Sequence, residues 1–369
     1  MGKRINGLGR LLKKYNLKNV AVYMLALVLL PALLSGCGSS TSMDESEAEY
    51  ETICEEYKDV IPKYVFLYAE NQAKDYPTSL GAYRFAYLVH ERTEGKIQIR
   101  VYVDGELGNE QELVKKLCRG GLDFMRASMT GITDYSAKSQ VLVMPYLYND
   151  DEHMWNVLDG DIGQEILDSF DGTGMKALSW YDAGVRNFYS SEPIDSIDDL
   201  KGKVIRVQAS DIMYDIIKCL GAQPYATEYD EVYSALQTGT VDIAENNWSS
   251  YESMEHYKVA PYYMLDEHVR VPEIQLMSQN TYDILTDEEK SIIEECARES
   301  ALYERELWKT REEYSEEKVV AEGCQVITIS SSEKEKFKEA VEPVYEKYCS
   351  DYMDLIERIW QEDDVSTEK

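Results

Sequence analysis

The sequence has few histidines, and its cysteines do not form a metal-binding pattern. It has four histidines and seven cysteines among 369 residues, with no Cys-x-x-Cys pair and no His-Glu-x-x-His pattern. These absences argue against a metal cluster and a zinc hydrolase, and no cofactor is expected. The cysteines that follow Cys37 are even in number and widely scattered, so their spacing leaves any disulfide pairing open. They are Cys54, Cys118, Cys219, Cys296, Cys324 and Cys349.

Basic residues are also scarce. The chain has 38 lysines and arginines against 69 aspartates and glutamates, a formal charge of −31. A field of this sign repels nucleic acid and anionic lipid surfaces, so neither is an expected partner. It also repels an anionic solute at long range. A site for such a solute must therefore be built locally from a few arginines.

The first 36 residues have the pattern of an export signal. Six basic residues and no acidic residue fall within residues 1–18, and an apolar run follows over residues 20–34. A membrane-spanning helix needs about 20 apolar residues, whereas this run is shorter and contains Pro31. We therefore expect residues 1–36 to be a cleaved secretory signal. Its removal takes the formal charge to −37.

The apolar run closes with Leu34, Ser35, Gly36 and Cys37. This ending resembles the bacterial lipobox, in which the cysteine receives a diacylglyceryl group and becomes the new N-terminus. The resemblance implies that Cys37 is a lipid anchor at the outer face of the cytoplasmic membrane, in the periplasm if the cell has an outer membrane. The alternative is an ordinary signal with an incidental cysteine. Small residues and an acidic stretch come next, which predicts a flexible tether over residues 37–60.

Alternating strand and helix patterns occupy the rest of the chain. Strands predicted at residues 65–69, 97–103 and 122–126, with helices between them over 79–93 and 110–118, indicate a mostly parallel sheet covered by helices. A second alternating series begins after about residue 180. Its predicted strands are at 203–207 and 241–244, and its predicted helices are at 211–220 and 229–236. The sequence therefore predicts two α/β lobes.

The predicted lobes have the following boundaries. Lobe I covers residues 61–182 with a return segment at about 265–320, and lobe II covers residues 183–264 with part of 321–345. Apolar residues at helical spacing from residue 287 predict a long helix that braces both lobes. Residues 346–369 are predicted to be a C-terminal helix with a frayed tail.

Several short segments stand in order along residues 64–330. They include AEN at 69–71, GELG at 105–108, GVRNFY at 184–189, KGKVIRV at 201–207 and VDIAENN at 241–247. Together they resemble the solute receptors of tripartite ATP-independent periplasmic (TRAP) transporters. The last segment, with DEH at 266–268 and PE at 272–273, is similar to a subset that includes uronate receptors. Two residues depart from the family pattern: Ile243 replaces a usual glycine and Asn247 a frequent proline.

The resemblance implies a fold and a function. The fold would be that of the two-lobed periplasmic binding proteins, with a ligand cleft between the lobes and hinge strands that join them. The function would be to bind a small organic acid, such as glucuronate, galacturonate, a related sugar acid or a dicarboxylate, and to deliver it to the membrane subunits of the transporter. No covalent chemistry is needed for that task.

Three residues in these segments suit a carboxylate. Arg206 matches the family's ligand-binding arginine, Arg186 a second arginine, and Asn246 an asparagine that donates to the same end of the ligand. A guanidinium group presents a planar pair of N–H donors to the two oxygens of a carboxylate. Arg206 also lies between apolar neighbours, where an unpartnered charge is costly. We predict that these three residues clamp the carboxylate.

The other candidates have less specific signals. Arg126 is similar to an arginine at the cleft edge of some family members, and it would be either a second anion contact or part of an ion pair within lobe I. Glu70 and Asn71 end the first predicted strand and are expected to contact ligand hydroxyls. Aromatic side chains that are candidates to line the ligand are Trp248, Tyr229 and His268.

Two other functions stay open at this stage. An exported enzyme acting on uronic polymers would need an acid and a base in the cleft, and Glu70, Glu245 and Glu273 qualify only by residue type. A receptor of an ATP-driven importer would share the architecture but would usually lack the Ile-Arg-Val and Glu-Asn-Asn series. The sequence favours a binding protein over an enzyme.

Overall fold

The structure is a computed structural model that describes the backbone of residues 41–366 and the side chains of residues 46–362. The predicted export signal and the predicted anchor Cys37 lie outside the described residues. Within the described part of the chain, no helix has both the length and the apolar content that a membrane span requires.

Strands and helices alternate over most of the described chain. The strands are β1 (Tyr64–Ala69), β2 (Ile97–Tyr102), β3 (Phe124–Ser128), β4 (Met175–Tyr181), β5 (Val185–Ser190), β6 (Val204–Val207), β7 (Gln223–Ala226), β8 (Ile243–Asn246), β9 (Tyr262–Arg270), β10 (Glu273–Ser278) and β11 (Gln325–Thr328). The α-helices are α1 (Thr41–Glu56), α2 (Pro77–Arg92), α3 (Glu110–Cys118), α4 (Met129–Ile132), α5 (Asp151–Leu158), α6 (Asp161–Asp168), α7 (Asp211–Cys219), α8 (Val232–Gln237), α9 (Trp248–Ser253), α10 (Gln279–Asp283), α11 (Asp287–Ala321), α12 (Ser331–Cys349) and α13 (Met353–Ser366). Short 3₁₀ helices cover Thr133–Tyr135, Ala137–Val143, Ile197–Leu200, Tyr229–Glu231, His256–Lys258 and Ser350–Tyr352.

Two sheets form the centres of two lobes, as the sequence predicted. The first has the strand order β2-β1-β3-β10-β4, and the second has the order β11-β9-β5-β8-β6-β7. The prediction of mostly parallel sheets is wrong in one respect, because β10 runs antiparallel to both of its neighbours and so does β5. These two strands enter directly from the other lobe. They are not preceded by the crossover helix that keeps consecutive strands of one sheet parallel.

The chain crosses between the lobes through short links. It leaves β4 of the first sheet and enters β5 of the second through residues 182–184, and it returns from β9 to β10 through residues 271–272. The return was predicted near residue 265, which is too early. β9 stays in the second sheet to its last residue, Arg270, because that residue still pairs with Val185 at the start of β5.

The segment predicted to be a flexible tether is partly helical. Helix α1 covers most of it, and one face of the helix packs against the first lobe. Ile53 is buried, the Tyr50 hydroxyl donates to the carbonyl oxygen of Ile99, and Ser46 shares a hydrogen bond of 2.8 Å with Tyr303. Apolar and aromatic side chains at helical spacing stabilise this helix against the lobe, although the flanking composition is typical of a linker.

Helix α11 is the predicted bracing helix. Thr286 and Glu289 form a reciprocal capping box at its start, which satisfies backbone N–H groups that would otherwise lack partners. Along its 35 residues the helix packs on α2 of the first lobe and on α9 of the second lobe. A single rigid element therefore contacts both lobes beside the point where the chain crosses between them.

The crossing at residues 182–184 is closely packed against α11. The backbone N–H of Asp182 donates to the Glu304 carboxylate at 2.8 Å, and the N–H of Gly184 donates to the Asp182 carboxylate at 2.8 Å. Gly184 has a φ of +59°, which is in the left-handed region that glycine adopts without penalty. A β-carbon there would collide with the Glu312 carboxylate and lie 3.0 Å from Nε1 of Trp308.

We expect Gly184→Ala to lower the free energy of unfolding by about 2–4 kcal/mol, because the left-handed backbone and the steric overlap both oppose a methyl group. Gly202→Ala is the matched control, since Gly202 has a φ of +75° with no atom near its missing β-carbon. The control should lose only about 1 kcal/mol. Urea unfolding measures both, and equal losses would contradict the close packing of the crossing.

Candidate functional site

A cavity of about 570 Å³ lies between the two lobes and is lined by both. This volume is typical of sites for small organic molecules. The charged side chains that line it are Arg126, Arg186, Arg206, Asp104, Glu110, Glu228, Asp230, Glu231 and Glu273. Uncharged polar residues, including Asn71, Tyr229 and Asn246, share the lining. The cavity can therefore form hydrogen bonds on several sides.

Arg206 enters the cavity from strand β6. Its side chain is buried, and Nε and Nη2 donate to the carbonyl oxygen of Thr227 at 3.3 and 2.8 Å. Within the described residues, Arg206 has no salt bridge and Nη1 has no hydrogen-bond partner. Burial lowers the pKa of Arg206, because the charged form has lost water without gaining a carboxylate. The geometry leaves a buried cation able to bind an anion from the cavity.

Arg186 is different because it already has an anionic partner. Its Nη2 donates to Oε1 of Glu245 at 2.8 Å and its Nε donates to Oε2 of the same side chain. Burial by itself would raise the pKa of Glu245, but the Arg186 cation and the His268 ring together lower this pKa to about 2. Glu245 is therefore ionised and neutralises Arg186.

Asn246 connects this ion pair to the cavity. Its Oδ1 accepts from Nη1 of Arg186 at 3.0 Å and from the backbone N–H of Asn247 at 2.9 Å. Two donors on Oδ1 fix the orientation of the amide. The Nδ2 group makes no hydrogen bond to the described residues, so Asn246 presents N–H donors to the cavity.

Arg126 is held in the opposite, first-lobe wall by three carboxylates. It bonds to Glu70 through Nε, and Nη1 lies 3.1 Å from Glu110 and 2.8 Å from Glu273. Of the two roles considered for Arg126, the structure shows the ion pair within lobe I. Burial and the charge of Glu273 raise the pKa of Glu110 to about 7, although Arg126 opposes this. Burial also raises the pKa of Glu273.

Comparisons with known proteins show which family the chain belongs to. The family model for bacterial extracellular solute-binding proteins of family 7 matches residues 68–351. The chain belongs to this family. It is a TRAP solute receptor, and its place of action is outside the cytoplasm. Proteins of this family act as solute-binding receptors, not enzymes.

Solved structures of TRAP solute-binding proteins have the same fold. One from Xanthobacter autotrophicus, with bound β-D-galacturonate, is 39% identical and has a TM-score of 0.78 over 80% of this chain and 98% of that one. One from Pseudomonas putida, with bound D-glucuronate, is 35% identical with a TM-score of 0.78 over 80% and 96%. One from Sulfurospirillum deleyianum, with bound succinate, is 27% identical with a TM-score of 0.76 over 81% and 99%. The shared fold therefore does not by itself determine the ligand.

Five of the eight predicted binding residues line the cavity of this solute receptor, and three do not. Those that line it are Arg206, Arg186, Asn246, Arg126 and Asn71, and Tyr229 lines it as well. Those outside the lining are Glu70, Trp248 and His268.

Each of these three residues lies behind the cavity for a physical reason. Glu70 is buried beneath Arg126, and its Oε1 also accepts the backbone N–H of Asn71 at 2.8 Å. Trp248 stacks on Tyr263 in the second-lobe core, with ring centroids 3.7 Å apart. His268 lies behind the Glu245 carboxylate and does not line the cavity.

His268 nevertheless supports the site through charge. Its Nδ1 lies 2.9 Å from Oδ2 of Asp266 and its Nε2 lies 3.5 Å from Oε2 of Glu245. Burial opposes protonation, but Asp266 and Glu245 raise the pKa of His268 to about 9. The protonated ring therefore helps to keep Glu245 ionised beside Arg186.

Asn247, one of the two departures from the family pattern, has a structural task. Its Oδ1 accepts the backbone N–H of Ser250 at 2.7 Å and caps helix α9. Its Nδ2 donates to the carbonyl oxygen of Ala183 at 2.8 Å, in the link between β4 and β5. Proline could make neither contact. Ile243, the other departure, is buried in the second-lobe core and pairs with Ile205 of β6.

Sequence reasoning missed Glu110 as a cavity residue. It is the first residue of α3, directly after the turn that contains GELG. In the sequence, the feature that could have identified Glu110 was its position in the first turn of a predicted helix, next to a segment that resembles the family. Glu273 was considered only as part of the PE segment and as a candidate catalytic acid or base.

We expect Glu245→Gln to reduce stability by about 3 kcal/mol at pH 7, since it leaves the buried charges of Arg186 and His268 without their shared anion. The pKa of Glu245 is lowered from its unfolded value near 4.3 to about 2, so its contribution is present above the unfolded value and is lost as pH falls through this window.

Urea unfolding of both proteins at pH values from 7 down to 3.5 measures this effect. The advantage of the native protein should shrink below about pH 4.5. Glu112→Gln, which removes an exposed carboxylate of α3, should show no such trend. A difference that stays constant with pH would contradict the assigned ionisation of Glu245.

Proposed function

We propose that this receptor binds a hexuronate, such as galacturonate or glucuronate, and delivers it to the membrane subunits of a TRAP transporter. The observation that carries the proposal is the environment of Arg206. This buried arginine has no salt bridge within the described chain and lines a polar cavity between two lobes. The bound uronates in two similar receptors support the same ligand class.

The carboxylate of the ligand would be held mainly by Arg206 and Asn246. Nη1 of Arg206 and Nδ2 of Asn246 are donors without partners in the described chain, and both residues line the cavity. Arg186 would have a supporting role, because Glu245 already neutralises it and its Nη1 holds Oδ1 of Asn246. This division of tasks refines the three-residue clamp expected from the sequence.

The ring hydroxyls would contact the first-lobe wall. Sugar hydroxyls both donate and accept hydrogen bonds, and this wall offers the carboxylates of Glu110 and Glu273 with the amide of Asn71. Contacts from both lobes to one ligand favour the closed arrangement of the two lobes. The short links at residues 182–184 and 271–272 are the places where the rotation would be absorbed.

The receptor would act at the outer surface of the cytoplasmic membrane. We propose that the export signal is removed and that Cys37 carries the lipid anchor, as the lipobox-like sequence implies. Two acyl chains bury enough methylene groups, at about 0.8 kcal/mol each, to hold a protein of this size at a membrane.

Arg206→Lys is expected to weaken galacturonate binding by about 100-fold or more, because a lysine cannot offer the planar pair of donors and its amine would be buried. Isothermal titration calorimetry measures the affinity. Arg100→Lys is the matched control, since Arg100 is exposed on a strand and does not line the cavity.

The control should bind galacturonate as the native protein does. Circular dichroism should show that both variants are folded. Native-like affinity in a folded Arg206→Lys protein would contradict the proposed clamp.

A further inference from the structure

Two of the three arginines that line the cavity are paired with carboxylates. Arg126 bonds to Glu70, Glu110 and Glu273, and Arg186 bonds to Glu245. Arg206 is the one lining arginine of the described chain without a salt bridge. The cavity therefore has room for a single anionic group, in the second lobe.

The wall around Arg126 carries excess negative charge. One guanidinium faces three carboxylates, so the group stays negative even when one of them is protonated. Glu70 is fully enclosed, whereas the side chains of Glu110 and Glu273 each keep 13% of their surface exposed and both line the cavity. Their remaining lone pairs can accept hydrogen bonds from a ligand.

A second observation also points to a ligand on this side. The hydroxyl groups of Ser128 and Thr78 are buried and have no hydrogen-bond partner among the described residues, although both residues line the cavity. Ser128 is 2% exposed and Thr78 is 1% exposed. Buried polar groups of this kind are normally satisfied by protein, water or ligand. Together with Glu110 and Glu273 they form a wall of hydrogen-bonding groups suited to a polyhydroxylated molecule.

We infer that Glu110 and Glu273 determine the specificity of this receptor by accepting ligand hydroxyls and rejecting a second carboxylate. The inference rests on the proposed function, in which Arg206 holds the first carboxylate. A hydroxyl group donates its proton to Glu110 or Glu273. A carboxylate at the same place has no proton to donate, and it would bring like charges together with no uncommitted arginine nearby.

Two sugar acids distinguish a hydroxyl group from a second carboxylate at the first-lobe wall. Galacturonate carries one carboxylate, and galactarate has the same six carbons with a carboxylate at both ends. Calorimetric titrations of both ligands are made with the native protein, Glu110→Gln, Glu273→Gln and the control Glu112→Gln. Glutamine keeps the size of the side chain and an oxygen for Arg126 but removes the negative charge. Glu112 lies two residues from Glu110 in α3, is exposed and does not line the cavity.

The native protein and Glu112→Gln should bind galacturonate about 100-fold or more tightly than galactarate. Glu110→Gln and Glu273→Gln should bind galactarate about 10-fold more tightly than the native protein does, and galacturonate up to about 10-fold less tightly. The ratio of the two affinities thus falls only in the variants of the wall.

Galactarate affinities that are unchanged in both folded glutamine variants would overturn the inference. So would a native protein that binds galactarate as tightly as galacturonate. A native protein that binds neither galacturonate nor glucuronate in the same titration would overturn the proposed function. In that case, the appearance of galactarate binding in the glutamine variants would still support the charge-based rejection.

Discussion

The unpaired charge of Arg206 is the constraint on which the site depends. In a chain with 69 acidic residues, a buried arginine finds a carboxylate partner unless the fold keeps carboxylates away from it. Strand β6 places Arg206 at the cleft, where its contacts are the carbonyl oxygen of Thr227 and the cavity. The proposed binding of a ligand carboxylate would recover the cost of leaving this charge without an anion, and it would make binding local and directional in a protein whose overall field repels anions.

Behind Arg206, the second lobe contains a series of side chains whose charges alternate in sign. Asp266, His268, Glu245 and Arg186 form a buried series of opposite charges that ends at the amide of Asn246. Each member is held by its neighbours, so the amide presents its donors in one orientation. Such fully paired networks are costly to break because each deletion leaves a buried charge alone. The first-lobe wall differs, since it contains more carboxylates than cations and is suited to hydroxyl groups.

The links between the lobes explain how the two walls face one another. β5 and β10 each lie inside a sheet, between two other strands. The chain enters each of these two strands directly from the other lobe. Helix α11 packs on both lobes, and Glu304, Trp308 and Glu312 contact the crossing at residues 182–184. The link at residues 182–184 therefore passes between the lobes beside closely packed side chains of α11.

The sequence by itself determined those features that depend on the spacing of apolar residues or on short sequence motifs. It predicted the two α/β lobes, the long helix α11 and the presence of Arg206, Arg186 and Asn246 in one site, because helical and strand spacing and short family segments are local properties of the chain. It also predicted an export signal and a lipid anchor at Cys37, which stay predictions.

Only the tertiary structure decided which charges pair. Arg126, Arg186 and Arg206 all stand in short strands, yet within the described residues two are neutralised by glutamates and the third is not. The partners Glu70, Glu273 and Glu245 lie 56, 147 and 59 residues away from the arginines that they neutralise, and no spacing rule reaches across such separations. The burial of His268 and Trp248 behind the cavity also depends on packing between distant strands. Pair formation and burial are properties of the folded chain, and within the described residues they distinguish the arginine without a carboxylate partner from the two that have one.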